Sequence, residues 1–152
     1  MAPAVVTRAL ELDPDVGRKG PPLILLTLGS IAPGAALHPK AARLRGARLL
    51  AQADVVLHDA LVTDEMLELC PQAEKILVGK RCGQLSTAQQ FINKQMIDSA
   101  KKFPLVVRLK GGDPMMFGRA DEELRALEEA GIEVEVVPGI TTALAAAAAT
   151  KQ

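Results

Sequence analysis

A chain of 152 residues, 49% hydrophobic but 2% aromatic, has room for one domain of ordinary size whose core must be built from Leu, Val, Ile and Ala. Its 18 Lys and Arg balance 18 Asp and Glu, which gives no reason to seek nucleic acid or an acidic membrane as partner. Two cysteines are too few to staple a secreted scaffold, no run is long enough to span a membrane and no signal-peptide core opens the chain, so the reading is a cytoplasmic protein with reduced thiols.

Residues 1–21 mix charge clusters and prolines without a sustained period and read as a flexible arm. Residues 22–152 read as one domain. The apolar run at 23–28 (LILLTL) fits a strand buried on both faces, and Gly29, Ser30, Pro33 and Gly34 follow it as a loop. Residues 40–53 predict a helix, with Leu44, Ala47, Leu50 and Ala51 at helical spacing. A strand at 54–57 ends at His58-Asp59. Thr63 or Asp64 then caps a short helix through Leu69, which Pro71 ends.

The next strand, 75–78, runs into Gly79-Lys80-Arg81. Ser86 and Gln89 match a capping box, and the helix behind them is expected to bury Ala88, Phe91 or Ile92, Met96 and Ala100. A strand at 105–109 turns abruptly at Gly111-Gly112-Asp113-Pro114. The helix starting near Arg119 has Asp121, Glu122 and Glu123 in its first turn, where its dipole favours carboxylates. Leu124, Leu127 and Ala130 form its expected inner stripe, and Gly131 its C′ residue. A last strand at 133–137 breaks at Pro138-Gly139, and an alanine-rich helix begins near Thr141. This alternation predicts an α/β fold, with a parallel or mostly parallel sheet flanked by helices.

In such a sheet the strand ends share one rim, where ligands bind. That rim would collect Gly29 and Gly34, Asp59, Lys80-Arg81, Gly111 to Asp113, and Thr141-Thr142. Asp59 is a candidate base, and Lys80 a candidate acid or anion contact. Gly111 and Gly112 let a small molecule approach the backbone. Taken singly, each is better explained by a solvated charge or a plain turn; their convergence favours a site. His38 has no neighbouring ligand to make a metal site, and Cys70 and Cys82 lack CxxC spacing and read as inert thiols. Met115 and Met116 read as core or cleft wall. Gly29-x-x-x-x-Gly34 lacks the Lys-Ser/Thr of a phosphate-binding P-loop.

Four ordered blocks carry a resemblance: VLHDALV, ILVGKR, VVRLKGGDPMMFGR and VEVVPGITTALAAAAA. Together with their surroundings, over residues 44–149, they resemble the uroporphyrinogen-III C-methyltransferases of the tetrapyrrole methylase family. RLKGGDP followed by FGR is the most specific part. The resemblance implies methyl transfer from S-adenosylmethionine to two pyrrole carbons of uroporphyrinogen III, giving precorrin-2 for sirohaem and cobalamin. It implies cofactor contacts at Gly111, Gly112, Asp113, Met116, Thr141 and Thr142, with Pro33 standing in for a Pro-Gly of the family's first loop. It implies Asp59 as proton acceptor and Lys80 as proton donor. Arg81 and Arg119 suit a carboxylate-rich substrate. A homodimer is implied too.

Two departures stand out. The loop GSIAPGAALHPK is longer than the family's first loop and lacks its aspartate. The family also has a further domain after the alanine helix, so the expectation is an amino-terminal domain of doubtful activity by itself. The alternative is a non-catalytic remnant or interaction domain of the same fold.

Overall fold

A computed structural model of the chain describes residues 23–27, 40–78, 85–116 and 119–151. The amino-terminal arm, Pro33, His38, Lys80, Arg81 and Cys82 lie outside them. The described elements alternate as β1 (Leu23–Thr27), α1 (Lys40–Gln52), β2 (Val55–His58), α2 (Asp64–Leu67), β3 (Glu74–Leu77), α3 (Leu85–Lys102), β4 (Val106–Lys110), α4 (Ala120–Glu129), β5 (Val134–Val137) and α5 (Thr142–Thr150). The strands form one sheet in the order β3-β2-β4-β1-β5, and every pairing is parallel. The expected fold class is therefore observed.

β4 lies at the centre of the sheet and is buried along its whole length. Its side chains alternate between two cores, as a strand's period of two requires. Val107 and Leu109 join Leu49 and Leu50 of α1, Val56, Met66 and Cys70 on one face. Val106 joins Val55, Leu57, Met96 of α3 and Leu127 of α4 on the other. The fully buried side chains of both layers contain no aromatic ring, as the shortage of aromatic residues requires.

Local ties fix the ends of these elements. The Asp54 carboxylate accepts from the Leu105 N–H at 2.9 Å and sets β2 beside β4. Gln72 Nε2 donates to the Leu50 and Ala53 carbonyls at 2.9 and 3.0 Å, tying the end of α1 to the turn before β3. α4 closes as expected at Gly131, whose φ is +69°. The Gly131 N–H donates to Glu128 O and the Ile132 N–H to Leu127 O, the paired bonds of a Schellman ending.

Three expectations need correction. α3 begins at Leu85, so Ser86 lies inside the helix rather than capping it. Ala88 and Phe91 are exposed; the buried line is Gln89, Met96 and Ser99, with Ile92 and Ala100 partly covered. Glu123 keeps its expected place in the first turn of α4, but the inner stripe of that helix is not the expected one. Glu123 is 1% exposed, on one inward stripe with Ala120 and Leu127, and Leu124 and Ala130 are only half-buried. Gln89 and Glu123 are linked: Glu123 faces the charged residues of β4, and Gln89 Nε2 reaches Glu123 Oε1 at 3.5 Å.

Candidate functional site

The carboxyl ends of β2, β4 and β5 open on a pocket of about 430 Å³. Its size falls within the range of small-molecule sites. Asp59 and Leu61 enter from the turn after β2, Gly111 to Asp113 and Met116 from the loop after β4, and Thr141 from the start of α5. Arg119 closes one side, just before α4.

The loop after β4 is built to bring backbone to the pocket. Gly112 has φ +78°, a conformation side chains resist. A Cβ there would meet no atom within 4 Å, so the space it faces is open to a ligand. Gly111 is tight for another reason. A Cβ on it would come 3.2 Å from Leu61 Cβ, so glycine lets the β2 turn close onto this loop.

Asp113 is the joint between two loops. Its Oδ1 accepts from the Met115 N–H at 2.9 Å, and its Oδ2 accepts from the Gly139 N–H at 3.0 Å. The Gly-Gly-Asp-Pro and Pro-Gly-Ile-Thr stretches, far apart in the sequence, are thereby one structure. Asp59 Oδ1 accepts from the Leu61 N–H at 3.0 Å, which shapes its own turn. Arg119 has φ +52° and grips Glu122 with two bonds, Nε to Oε1 at 2.6 Å and Nη2 to Oε2 at 2.7 Å. That hydrogen-bonded pair raises the Arg119 guanidinium above its ordinary value and lowers the Glu122 carboxyl below its own.

The floor of the pocket is ionic. Arg108, Lys110, Glu123 and Gln89 all line it, although each is less than a tenth exposed. Burial pulls the Lys110 ammonium below its ordinary value, while the neighbouring Glu123 carboxylate holds it up. These residues were not among the sequence candidates. The signal available was Arg108-Leu109-Lys110, two charges on one face of an otherwise apolar strand. Ala120, Glu123 and Leu127 at helical spacing complete it.

Of the candidates, Asp59, Gly111, Gly112, Asp113, Met116, Arg119 and Thr141 come together around this pocket. Thr142 opens α5. Met116 is half-exposed on the rim rather than in the core.

The model of the tetrapyrrole (corrin/porphyrin) methylases matches residues 38–152. The chain belongs to this family. Among tetrapyrrole methylases it is 50% identical over 114 residues to the uroporphyrinogen-III C-methyltransferase of Cyanidium caldarium, a match covering 74% of this chain and 45% of that protein. It is 51% identical over 113 residues to the siroheme synthase of a Psychrobacter species, covering 74% of this chain and 23% of that one. The uroporphyrin-III C-methyl transferase of Thermus thermophilus, solved in complex with S-adenyl homocysteine, superposes with a TM-score of 0.63 at 40% identity over 82% of this chain and 50% of the other. Its native form gives 0.67 at 42% identity, over 82% and 51% of the two chains. The chain thus spans a quarter to a half of the length of these relatives.

Proposed function

We propose that this pocket is the S-adenosylmethionine site of a uroporphyrinogen-III C-methyltransferase, acting in sirohaem and cobalamin synthesis. The observation that carries the reading is the pocket's wall: Asp113 joins the Gly111-Gly112 loop to the Thr141 loop around open space in front of Gly112. That the chain resembles an enzyme solved with S-adenyl homocysteine supports it.

S-adenosylmethionine, when bound, supplies an electrophilic methyl group on a sulfonium centre. The chain's own residues do the rest. Gly111, Gly112 and Thr141 give it backbone and hydroxyl contacts, and Met116 an apolar wall. Asp59 takes a proton from the cationic ring that methylation leaves, at a position other than the methylated carbon, which has none to give, so that the substrate regains neutrality. Arg119, at the mouth, meets substrate carboxylates, Arg81 has the same role, and Lys80 is the proton donor. The protein works in the cytoplasm as a homodimer.

Calorimetric titration with S-adenosylhomocysteine tests the cofactor site; binding that survives Gly112→Val unchanged would remove this loop from it. Asp59→Asn should lower methyl transfer by about 10²–10⁴-fold with cofactor affinity nearly unchanged. If Asp59→Asn turns over at the parent rate, Asp59 only shapes its turn. If residues 1–152 bind S-adenosylhomocysteine without transferring methyl groups, the cofactor assignment stands and catalysis needs more than this segment.

A further inference from the structure

Three charges meet at the carboxyl end of β4. Arg108 and Lys110 lie on the same face of the strand, and Glu123 of α4 takes both. Its Oε1 accepts from Arg108 Nε at 3.4 Å and Nη2 at 3.3 Å, and its Oε2 accepts from Lys110 Nζ at 3.2 Å. Gln89 of α3 approaches the same Oε1 at 3.5 Å. Arg108 is 3% exposed, Lys110 4% and Glu123 1%.

Two buried cations against one buried carboxylate leave a positive charge in excess, a costly state inside a protein. The pocket lining contains two further carboxylates, Asp113 and Asp59. Asp113 already holds two backbone N–H groups, one on each oxygen. Asp59 is the other; it lines the same pocket as Lys110, and its charge, after those of Glu123 and Arg108, reaches the ammonium. The geometry agrees, because the turn that carries Asp59 packs against Gly111, the residue after Lys110.

We infer that Lys110 and Glu123 are positioning residues for Asp59, which is the pocket-facing end of a charge chain running Asp59, Lys110, Glu123, Arg108. Glu123 offsets one cation and fixes where the other sits. Lys110 then presents a held positive charge against which the Asp59 carboxylate is oriented. The two cations and two carboxylates sum to neutrality. The functional side of the inference rests on Asp59 being the proton acceptor.

The chain makes the Lys110 proton a reporter of the whole arrangement. Glu123 faces it from α4, Arg108 from β4 itself and Asp59 from the turn after β2. α3 brings the neutral Gln89, and β1, LILLT, has no titratable residue. Arg119 and Asp113 lie further round the lining, each engaged as described. Glu123 and Asp59 both hold the ammonium up, so removing either charge lets its proton go at lower pH.

The experiment follows Lys110 by the Cε resonance of ¹³C-labelled lysine, assigned by its loss in Lys110→Met. Asp59→Asn, a change in the half-exposed turn, should lower the Lys110 titration midpoint. Glu123→Gln should lower it further, by about one pH unit or more. In methyl-transfer assays on the full chain, the alkaline limb of the rate profile should move to lower pH in Glu123→Gln. Lys110→Met should be slow at every pH, with cofactor affinity retained. Lys110→Met leaves Arg108 and Glu123 as a neutral pair, so it keeps the question open should Glu123→Gln fail to fold. A Lys110 midpoint indifferent to Asp59→Asn overturns the chain, as does Lys110→Met working at the parent rate. If the protein binds no S-adenosylhomocysteine while the midpoint still answers to Asp59→Asn, the charge chain stands and the methyltransferase reading falls.

Discussion

Val106 and Lys110 stand on the same face of β4, yet they meet opposite surroundings. Val106 packs in an apolar layer with Met96 of α3 and Leu127 of α4. Lys110 meets Glu123 of the same α4 and, through it, Gln89 of the same α3. Two helices thus cover one strand with an oily end and an ionic end, and the ionic end is the one beneath the pocket. The apolar end gains roughly 25 cal/mol for each Å² of apolar surface withdrawn from water. Buried ion pairs give no such return, since desolvation can exceed their attraction. Stability is therefore concentrated at the start of the strand, and chemistry at its finish.

Breaking the ionic end should produce the largest change in stability. Glu123→Ala leaves Arg108 and Lys110 buried without their carboxylate, and should cost about 3–5 kcal/mol in urea unfolding. Replacing Arg108, Lys110 and Glu123 together with apolar residues of similar volume should be neutral or stabilising by about 1–4 kcal/mol. The two results together would show that the network is kept for the site rather than for the fold. A single-variant loss within the error of the parent would mean that water already reaches these charges.

The apolar end responds differently. Leu127→Ala should cost about 2–5 kcal/mol through lost burial and a cavity. It should leave the Lys110 titration midpoint where it is, because no charge is touched. If the midpoint moves as far as in Glu123→Gln, the two ends are one mechanical unit and the contrast drawn along β4 is false.

Two glycines sharpen the same contrast at smaller cost. Gly112 and Gly131 both have positive φ, +78° and +69°, and open space where a Cβ would stand. Alanine at either should cost about 1–2 kcal/mol of backbone strain. At Gly131, beyond α4, urea unfolding should register the loss while S-adenosylhomocysteine affinity is unchanged. At Gly112, on the pocket, the affinity should fall as well. Equal loss of affinity at both would place the effect in the fold.

Much of this was legible in the residues. Alternating apolar runs and helical patterns gave the α/β class, and Gly-Gly-Asp-Pro after a strand gave the pocket's main loop. Strand order was not, because neighbouring parallel strands are chosen by long-range packing that no local pattern encodes. The burial of Glu123 was missed because a carboxylate in a first helical turn has a ready explanation in the dipole. Only its spacing from Ala120 and Leu127 argued otherwise. The role of Asp113 as a joint was hidden because its partner, Gly139, is a backbone N–H, which leaves no mark on side-chain pattern.

The smallest effect concerns a thiol far from the ionic end, in the aliphatic layer over the opposite face of the sheet. Cys70 is fully buried there, and its Sγ lies 3.3 Å from the Leu67 carbonyl. Burial raises its ionisation above the ordinary 9.0, with Lys75 opposing. The folded protein therefore keeps the proton at pH values where the unfolded chain has lost it. Stability from this group is present below about 9 and declines as pH rises beyond it. Lys110 has the opposite sign: its lowered folded value makes stability rise with pH below its ordinary 10.5. The two slopes are separated by a difference measurement. Cys70→Ala should cost about 0.5–1.5 kcal/mol near pH 7.5, the loss of one small buried group. That penalty should shrink by pH 10, because the variant has no thiol to hold protonated, while the Lys110 contribution cancels between parent and variant at these separate sites. A penalty that stays constant from pH 7.5 to 10 would show that the thiol ionises in the folded state, and that the aliphatic layer admits water as the ionic end does.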